Sequence, residues 1–248
     1  MEKLSKNELE RYDRQIIIKN WGEEGQLKLK NSKVLVVGAG GLGSLVLLYL
    51  TAAGVGHISI VDHDKLDLSN LNRQILYNMD DLNKPKALSA QKKLRKLNPD
   101  IEIYGHAITL SEDNIDEFIS DVDLVIDCLD NFKTRFLINK NCVKYKIPLV
   151  HGAIYGLEGR AMFIDPNHQD SPCLGCFYPE DTPPMGKFPV LGASVGITAS
   201  IEATEAIKYL TGIGENLIGK FLVIDGRVMS FRTITIKRNP KCNICCNR

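Results

Sequence analysis

Three groups of residues in this 248-residue chain have the types and spacing to do chemistry. The first is Gly38-Ala39-Gly40-Gly41-Leu42-Gly43, directly after the apolar run KVLVV. Glycines at 38, 40 and 43 permit a tight strand-to-helix turn whose amides approach a phosphate closely, and the following helix points its positive end at that anion. Asp62 ends the next apolar run, His57–Asp62, where a carboxylate can accept hydrogen bonds from ribose hydroxyls. The glycine turn alone suits NAD(H) as well as ATP. The polar segment that follows, DKLDLSNLNRQ at 64–74, carries Asn70 and Arg73, and a cation there suits a triphosphate better than a nicotinamide.

The second group is dispersed. Lys86 sits just inside an expected helix start, where a cation opposes the helix dipole unless a phosphate is near. By position alone, a solvated lysine like Lys84, Lys92 or Lys93 is the favoured reading. Asp130 and Asn131 follow a third apolar run at the ligand-binding edge of an open sheet. A carboxylate there either holds Mg²⁺ against phosphate oxygens or forms an Asp-Asn turn.

The third group is four of the seven cysteines, Cys173-Leu-Gly-Cys176 and Cys242-Asn-Ile-Cys245. Two C-x-x-C pairs supply the four thiolates of a closed, structural Zn²⁺ site, which would pin the polar tail to the middle of the chain. A redox disulfide is the rival, without a thioredoxin-like context. Cys246 competes with Cys245 as fourth ligand, and the x-x spacing favours Cys245. Cys128, in an expected strand, and Cys142, in an expected helix, read as packing residues.

These groups need a scaffold. Strands are expected at Lys33–Gly38, His57–Asp62, Ile101–His106, Asp123–Asp127 and Pro148–His151. They alternate with helices over Leu42–Ala53, from Pro85 to Asn98, and over Phe132–Lys146. That alternation predicts an α/β fold, a Rossmann-like, doubly wound, mostly parallel sheet. Beyond His151, strands at Arg160–Ile164 and within Phe221–Ile236 predict a mixed or antiparallel C-terminal extension, with a helix over Thr198–Leu210 and a zinc-pinned tail. Pro179–Pro189 (PEDTPPMGKFP) is expected to be an exposed crossing loop. The expected organisation is one domain: a helical arm over 1–30, a nucleotide-binding half over 31–151, and a second half over 152–248 with the crossing loop at 177–193. With 31 basic and 30 acidic residues the formal charge is +1, so no global field grips nucleic acid or membrane. The charged first residues lack a signal peptide's apolar core, no apolar stretch is long enough to span a bilayer, and the cytoplasm is the expected setting.

The ordered set RYDRQI at 11–16, GAGGLG at 38–43, VDHD at 61–64, SNLNRQ at 69–74, KPKA at 84–87, LDN at 129–131 and the two cysteine pairs resembles the MoeB/ThiF/HesA family. That family comprises the molybdopterin-synthase and ThiS adenylyltransferases of the ubiquitin-activating-enzyme superfamily, and the resemblance covers the chain nearly end to end. It implies ATP, Mg²⁺ and Zn²⁺ as ligands and a ubiquitin-like sulfur-carrier protein ending in Gly-Gly as the partner activated. Gly38, Gly40, Gly41 and Gly43 would frame the phosphates, and Asp62 and Asp64 the ribose side. Ser69, Asn70, Leu71, Asn72 and Arg73 would line the nucleotide channel. Lys86 would hold phosphate, Asp130 Mg²⁺, and Asn131 would lie beside them. Arg14 is implied to reach the triphosphate from the other subunit of a homodimer; without the resemblance it reads as a solvated charge.

The expected reaction is adenylation of the carrier's C-terminal carboxylate, with Arg14, Arg73, Lys86 and Asp130 as the catalytic set. Many relatives carry a cysteine in the crossing loop, but 177–241 has none, which places the end of the reaction at the acyl-adenylate. A separate sulfur donor, a sulfurtransferase or cysteine desulfurase, is then expected to take it over. The alternatives are a NAD-dependent oxidoreductase, an enzyme like the tRNA threonylcarbamoyladenosine dehydratases, and a silent carrier-binding scaffold.

Overall fold

The central strand decides which helices cover which face. In the computed structural model, which describes residues 3–180, 182–183 and 186–246, β1 (Lys33–Val37) sends Val34 and Val36 into one apolar cluster and Leu35 and Val37 into another. Two-residue alternation divides them, and the run is continuously apolar because both faces are covered. β2 (His57–Val61), β3 (Glu102–His106), β4 (Leu124–Asp127) and β5 (Leu149–Tyr155) join β1 as parallel neighbours. β6 (Glu158–Ile164), β7 (Lys220–Asp225) and β8 (Ser230–Thr235) then run antiparallel in succession. The eight-stranded order is β3-β2-β1-β4-β5-β6-β7-β8. This is the expected doubly wound sheet with its antiparallel extension.

Three helices open the chain: α1 (Lys6–Arg11), α2 (Asp13–Ile16) and α3 (Gly22–Lys30). Their anchor is polar and buried. The Tyr12 hydroxyl accepts from Asn98 Nδ2 at 2.8 Å, and Gln26 Nε2 donates to the Ala53 carbonyl at 2.8 Å. α4 (Gly41–Ala53) and α5 (Lys86–Leu97) cover one face of the sheet, α6 (Ile115–Ile119) and α7 (Phe132–Tyr145) the other. α5 stops at Asn98, held extended at φ −137° and ψ 100° because Pro99 follows. Pro85 is the cap of α5 rather than its first helical residue.

α8 (Gly192–Thr211) begins six residues before the Thr198 start expected from the sequence. Gly192, Gly196 and the β-branched Val195 and Ile197 weaken helix propensity, but close docking overrides it. A Cβ on Gly192 would lie 2.4 Å from the Asn72 carbonyl oxygen, so only glycine lets α8 start against the 69–74 segment. The crossing segment is tied down at its far end, where Gly156 N donates to Pro189 O at 2.8 Å and Leu191 N donates to Gly156 O at 3.1 Å. Residues 181, 184 and 185 of the expected loop lie outside the described residues.

Gly43 shows how tightly the first glycine turn is packed. A Cβ there would stand 1.8 Å from the Gly38 carbonyl oxygen, a backbone atom that cannot yield cheaply. Gly43→Ala is therefore expected to destabilise the protein by roughly 1–3 kcal/mol or more, the cost of overpacking a closed contact. Urea unfolding measures it. Parent-like stability would mean that α4 and β1 can part without cost.

Candidate functional site

A cavity of about 370 Å³ opens at the carboxyl ends of β1, β2 and β4. Strand ends expose side chains there, and the start of α4 directs amides at the same space. Gly38, Gly40, Gly41, Asp62, Asp64, Asn70, Arg73, Lys86, Asp130 and Asn131 line it. Residues from five separate stretches of sequence thus meet in one place.

Lys86 overturns the solvated-lysine reading. It is only 5% exposed, and its Nζ lies 2.9 Å from Asp64 Oδ2. A buried ammonium needs a partner, and a carboxylate on the adjoining backbone segment, whose Asp64 carbonyl also accepts from Lys86 N at 2.9 Å, supplies it. Asp62 is already engaged by the backbone. Its Oδ2 accepts from Ala39 N at 2.7 Å and its Oδ1 from Asp64 N at 2.8 Å. Burial raises its pKa, against those two amides and nearby Lys86. Each oxygen still has a lone pair for a sugar hydroxyl, so Asp62 can brace the glycine turn and meet a ribose at once. Asn131 also has two tasks, because its side chain caps α7 by accepting from Thr134 N at 2.9 Å.

Four expected nucleotide contacts do not line the cavity. Gly43 lies behind the turn, as packing. Ser69, Leu71 and Asn72 lie outside the lining, and two of them hold Arg73 instead: its Nη1 donates to Ser69 O at 2.9 Å and Asn72 Oδ1 at 3.1 Å. A short 3₁₀ turn over Leu68–Asn70, capped by Asp67, fixes that segment. Arg14 is also outside the cavity of its own chain. Its side chain is 91% exposed and lies 3.8 Å from Asp13 as its ion-pair partner.

Sequence reasoning missed Gln74, Thr109, Thr134, Lys187, Phe188 and Val195, all of which line the cavity. Lys187 and Phe188 arrive on the crossing segment, and no local pattern announces a residue that tertiary closure delivers. Cys128 also lines it, at 7% exposure, with Sγ 3.8 Å from Glu202 Oε1. Burial and the neighbouring Glu202 push its thiol well up, and burial does the same to Cys142, so neither is a ready nucleophile.

A second cavity, about 240 Å³, shares Leu129, Asp130, Ile154 and Phe188 with the first. Phe132, Arg135, Ala153, Tyr155, Glu158, Arg160 and Tyr178 complete its walls. Phe188 stacks on Tyr155 with ring centroids 6.3 Å apart, which closes one side. The two cavities meet at Asp130.

The cysteine pairs converge away from both. Sγ atoms of Cys173, Cys176, Cys242 and Cys245 all lie within 4.8 Å of one another, with Cys173–Cys242 at 3.6 Å and Cys176–Cys245 at 3.5 Å. Four sulfurs around a tetrahedral ion with 2.3 Å bonds stand ~3.8 Å apart, so the donor set fits zinc. Cys176 is drawn down to about 4 by the hydrogen bond from Cys173, which is pushed up in turn. Cys246 is exposed and outside the group, whose fourth sulfur is that of Cys245. No helix among the described residues is long and apolar enough to cross a membrane.

Comparison with known proteins agrees with this geometry. The ThiF family profile matches residues 12–244. A sulfur carrier protein adenylyltransferase of Thermus thermophilus is 45% identical over 252 aligned residues, covering 97% of this chain and 92% of that one. A SAMP-activating enzyme E1 of Haloferax volcanii is 43% identical, covering 98% and 90%. Among solved structures, E. coli MccB with ATP superposes with a TM-score of 0.85 at 23% identity over 96% of this chain and 75% of its own, a likeness of fold. The chain belongs to the ThiF family.

Proposed function

We propose that the protein is an adenylyltransferase that activates the C-terminal glycine carboxylate of a ubiquitin-like sulfur-carrier protein with ATP. The observation that carries this reading is the meeting of two cavities at Asp130. One has a glycine turn, Arg73 and Lys86; the other, about 240 Å³, is walled by four aromatic and four charged side chains and can take a slender extended tail. Adenylyltransferase relatives aligned over nearly the whole chain support it.

The carboxylate attacks the α-phosphorus of ATP, an acyl–oxygen–phosphorus bond forms as the α–β anhydride breaks, and pyrophosphate leaves with the electron pair. Both reactants are anionic, so the protein's task is to neutralise charge and align the groups. Lys86 exchanges its Asp64 partner for phosphate, and Arg73, held by Ser69 and Asn72, faces the same anion. No general base is needed, because a carboxylate is already ionised at neutral pH. Asp130 fits the role of an Mg²⁺ ligand, and that ion would neutralise phosphate charge. Arg14, pointing away from its own chain, is assigned to the site of a second copy in a homodimer. Zinc is assigned to the four clustered thiols, and the product passes to a separate sulfur donor.

ATP–pyrophosphate exchange should depend on a carrier ending in Gly-Gly, and removal of the terminal glycine should abolish it. Arg73→Ala and Asp130→Ala should each slow exchange by at least ~10²-fold, the scale of one lost charge contact to a transition state. Equal exchange without any carrier would overturn the assignment.

Metal analysis should find about one zinc per chain. Cys242→Ala should lower the melting temperature while nucleotide affinity of the folded variant stays near the parent's. Metal-free protein that melts at the parent temperature would remove zinc from the account.

A further inference from the structure

Asp130 sits where the two cavities meet, yet its carboxylate makes no hydrogen bond or ion pair among the described residues. Its place at that junction is therefore set by its backbone. That backbone is a short passage between the end of β4 at Asp127 and the cap of α7 at Asn131.

Within this passage Leu129 is held at both of its peptide groups. Its N–H donates to Asp127 Oδ1 at 3.1 Å, and its carbonyl accepts from Arg135 Nη2. The same Nη2 donates to the Gly152 carbonyl at 2.8 Å, on the strand whose Ala153, Ile154 and Tyr155 wall the second cavity. Asp127 Oδ2 lies 3.4 Å from Arg135 Nε and 2.7 Å from His151 Nδ1. Asp127 and His151 are fully buried and Arg135 is 6% exposed. Arg135 and His151 together hold the Asp127 carboxyl ionised against its burial, while burial keeps His151 neutral. A buried ion pair of this kind rarely improves on apolar packing as a source of stability. What this one does is bind both peptide groups of Leu129, outside any strand or helix, and tie them to the Gly152 carbonyl of β5.

We infer that Arg135 is a positioning residue for adenylation: with Asp127 it fixes the Leu129 peptide, so that the free carboxylate of Asp130 is aimed into the nucleotide cavity in register with the β5 wall of the channel. Arg135 also walls the second cavity, with one nitrogen of its fork turned to the Leu129 and Gly152 carbonyls. A lysine cannot replace it fully, because one ammonium lacks the planar fork that spans two carbonyls and a carboxylate. The inference rests on the nucleotide reading given above.

The test compares parent, Arg135→Lys, Arg135→Met, Asp130→Ala and the double variant Asp130→Ala/Arg135→Met, at a temperature where circular dichroism shows each to be folded. ATP dissociation constants are measured by calorimetry with Mg²⁺ and with EDTA. Parent protein should bind ATP more tightly with Mg²⁺. Arg135→Met should lose ~10-fold or more of that Mg²⁺ advantage, the usual effect of removing a partner that orients a metal ligand, with affinity in EDTA little changed. Arg135→Lys should fall between the two. In carrier-dependent exchange the Met variant should lose kcat, while KM for the carrier changes little. The double variant should behave as Asp130→Ala alone, because a residue that acts through Asp130 adds nothing once that carboxylate is gone. An undiminished Mg²⁺ advantage in folded Arg135→Met, an equal loss of affinity with and without Mg²⁺, or additive losses in the double variant would each overturn the inference. If Arg135→Met does not fold, the same readouts on Arg135→Lys decide it. A parent that binds no ATP overturns the nucleotide reading itself, and the positioning role with it.

Discussion

The closeness of α4 to β1 is the constraint from which the site follows. With Gly43 lying over the Gly38 carbonyl, the first turn of the helix presses against the strand end, and its amides face the space beyond β1. Any side chain at that contact would lift the helix and turn those amides away. Asp62 reinforces the approach by accepting the Ala39 amide from the neighbouring strand. The Tyr77 hydroxyl donates to the Ala39 carbonyl at 2.7 Å from the other side. The turn is thus held by backbone contacts and by two side chains that reach its backbone.

Charge is arranged on the same local scale. Net charge is only +1, so attraction for a polyanionic nucleotide comes from placement rather than total. Lys86 and Arg73 are each occupied by groups of the protein's own, Asp64 for one and the Ser69 carbonyl and Asn72 amide for the other. An occupied cation costs less to bury and is already near its working position when an anion displaces its partner. The buried pair of Asp127 and Arg135 differs, since its other hydrogen bonds go to the His151 ring, the Leu129 peptide groups and the Gly152 carbonyl.

Much of this could be read in the sequence, because the relevant signals are local. Continuous apolar runs gave the parallel strands, glycine and proline marked the turns, and the order of motifs carried the family. Two C-x-x-C pairs announced a convergence that the sulfurs then made. The illegible parts depend on distant packing. Lys86 reads as solvent-exposed because nothing near it in sequence says that Asp64 will fold over it. The first turns of α8 are hidden by residues that disfavour a helix, and only their close fit against Asn72 and Leu45 explains them. Ser69, Leu71 and Asn72 belong to a ligand-like motif, yet the cavity takes Asn70, Arg73 and Gln74 from that stretch and leaves the other three to hold the segment in place.

The thiol cluster has a bearing on the unfolded chain as well as the folded one. Cys173 and Cys242 are 69 positions apart, and between them lie the crossing segment, α8, β7 and β8. An ion held by all four sulfurs would close that stretch into a loop. In the chain-entropy description, a cross-link over a loop of this length removes about 4 kcal/mol of freedom from the unfolded state. The outermost strand, β8, is exposed along nearly its whole length and would thereby gain cohesion that its own packing does little to supply. Its attachment would then follow the redox state of four sulfur atoms, making thiol oxidation a route to loosening β8 and the tail while β1, β2 and β3 stay in place.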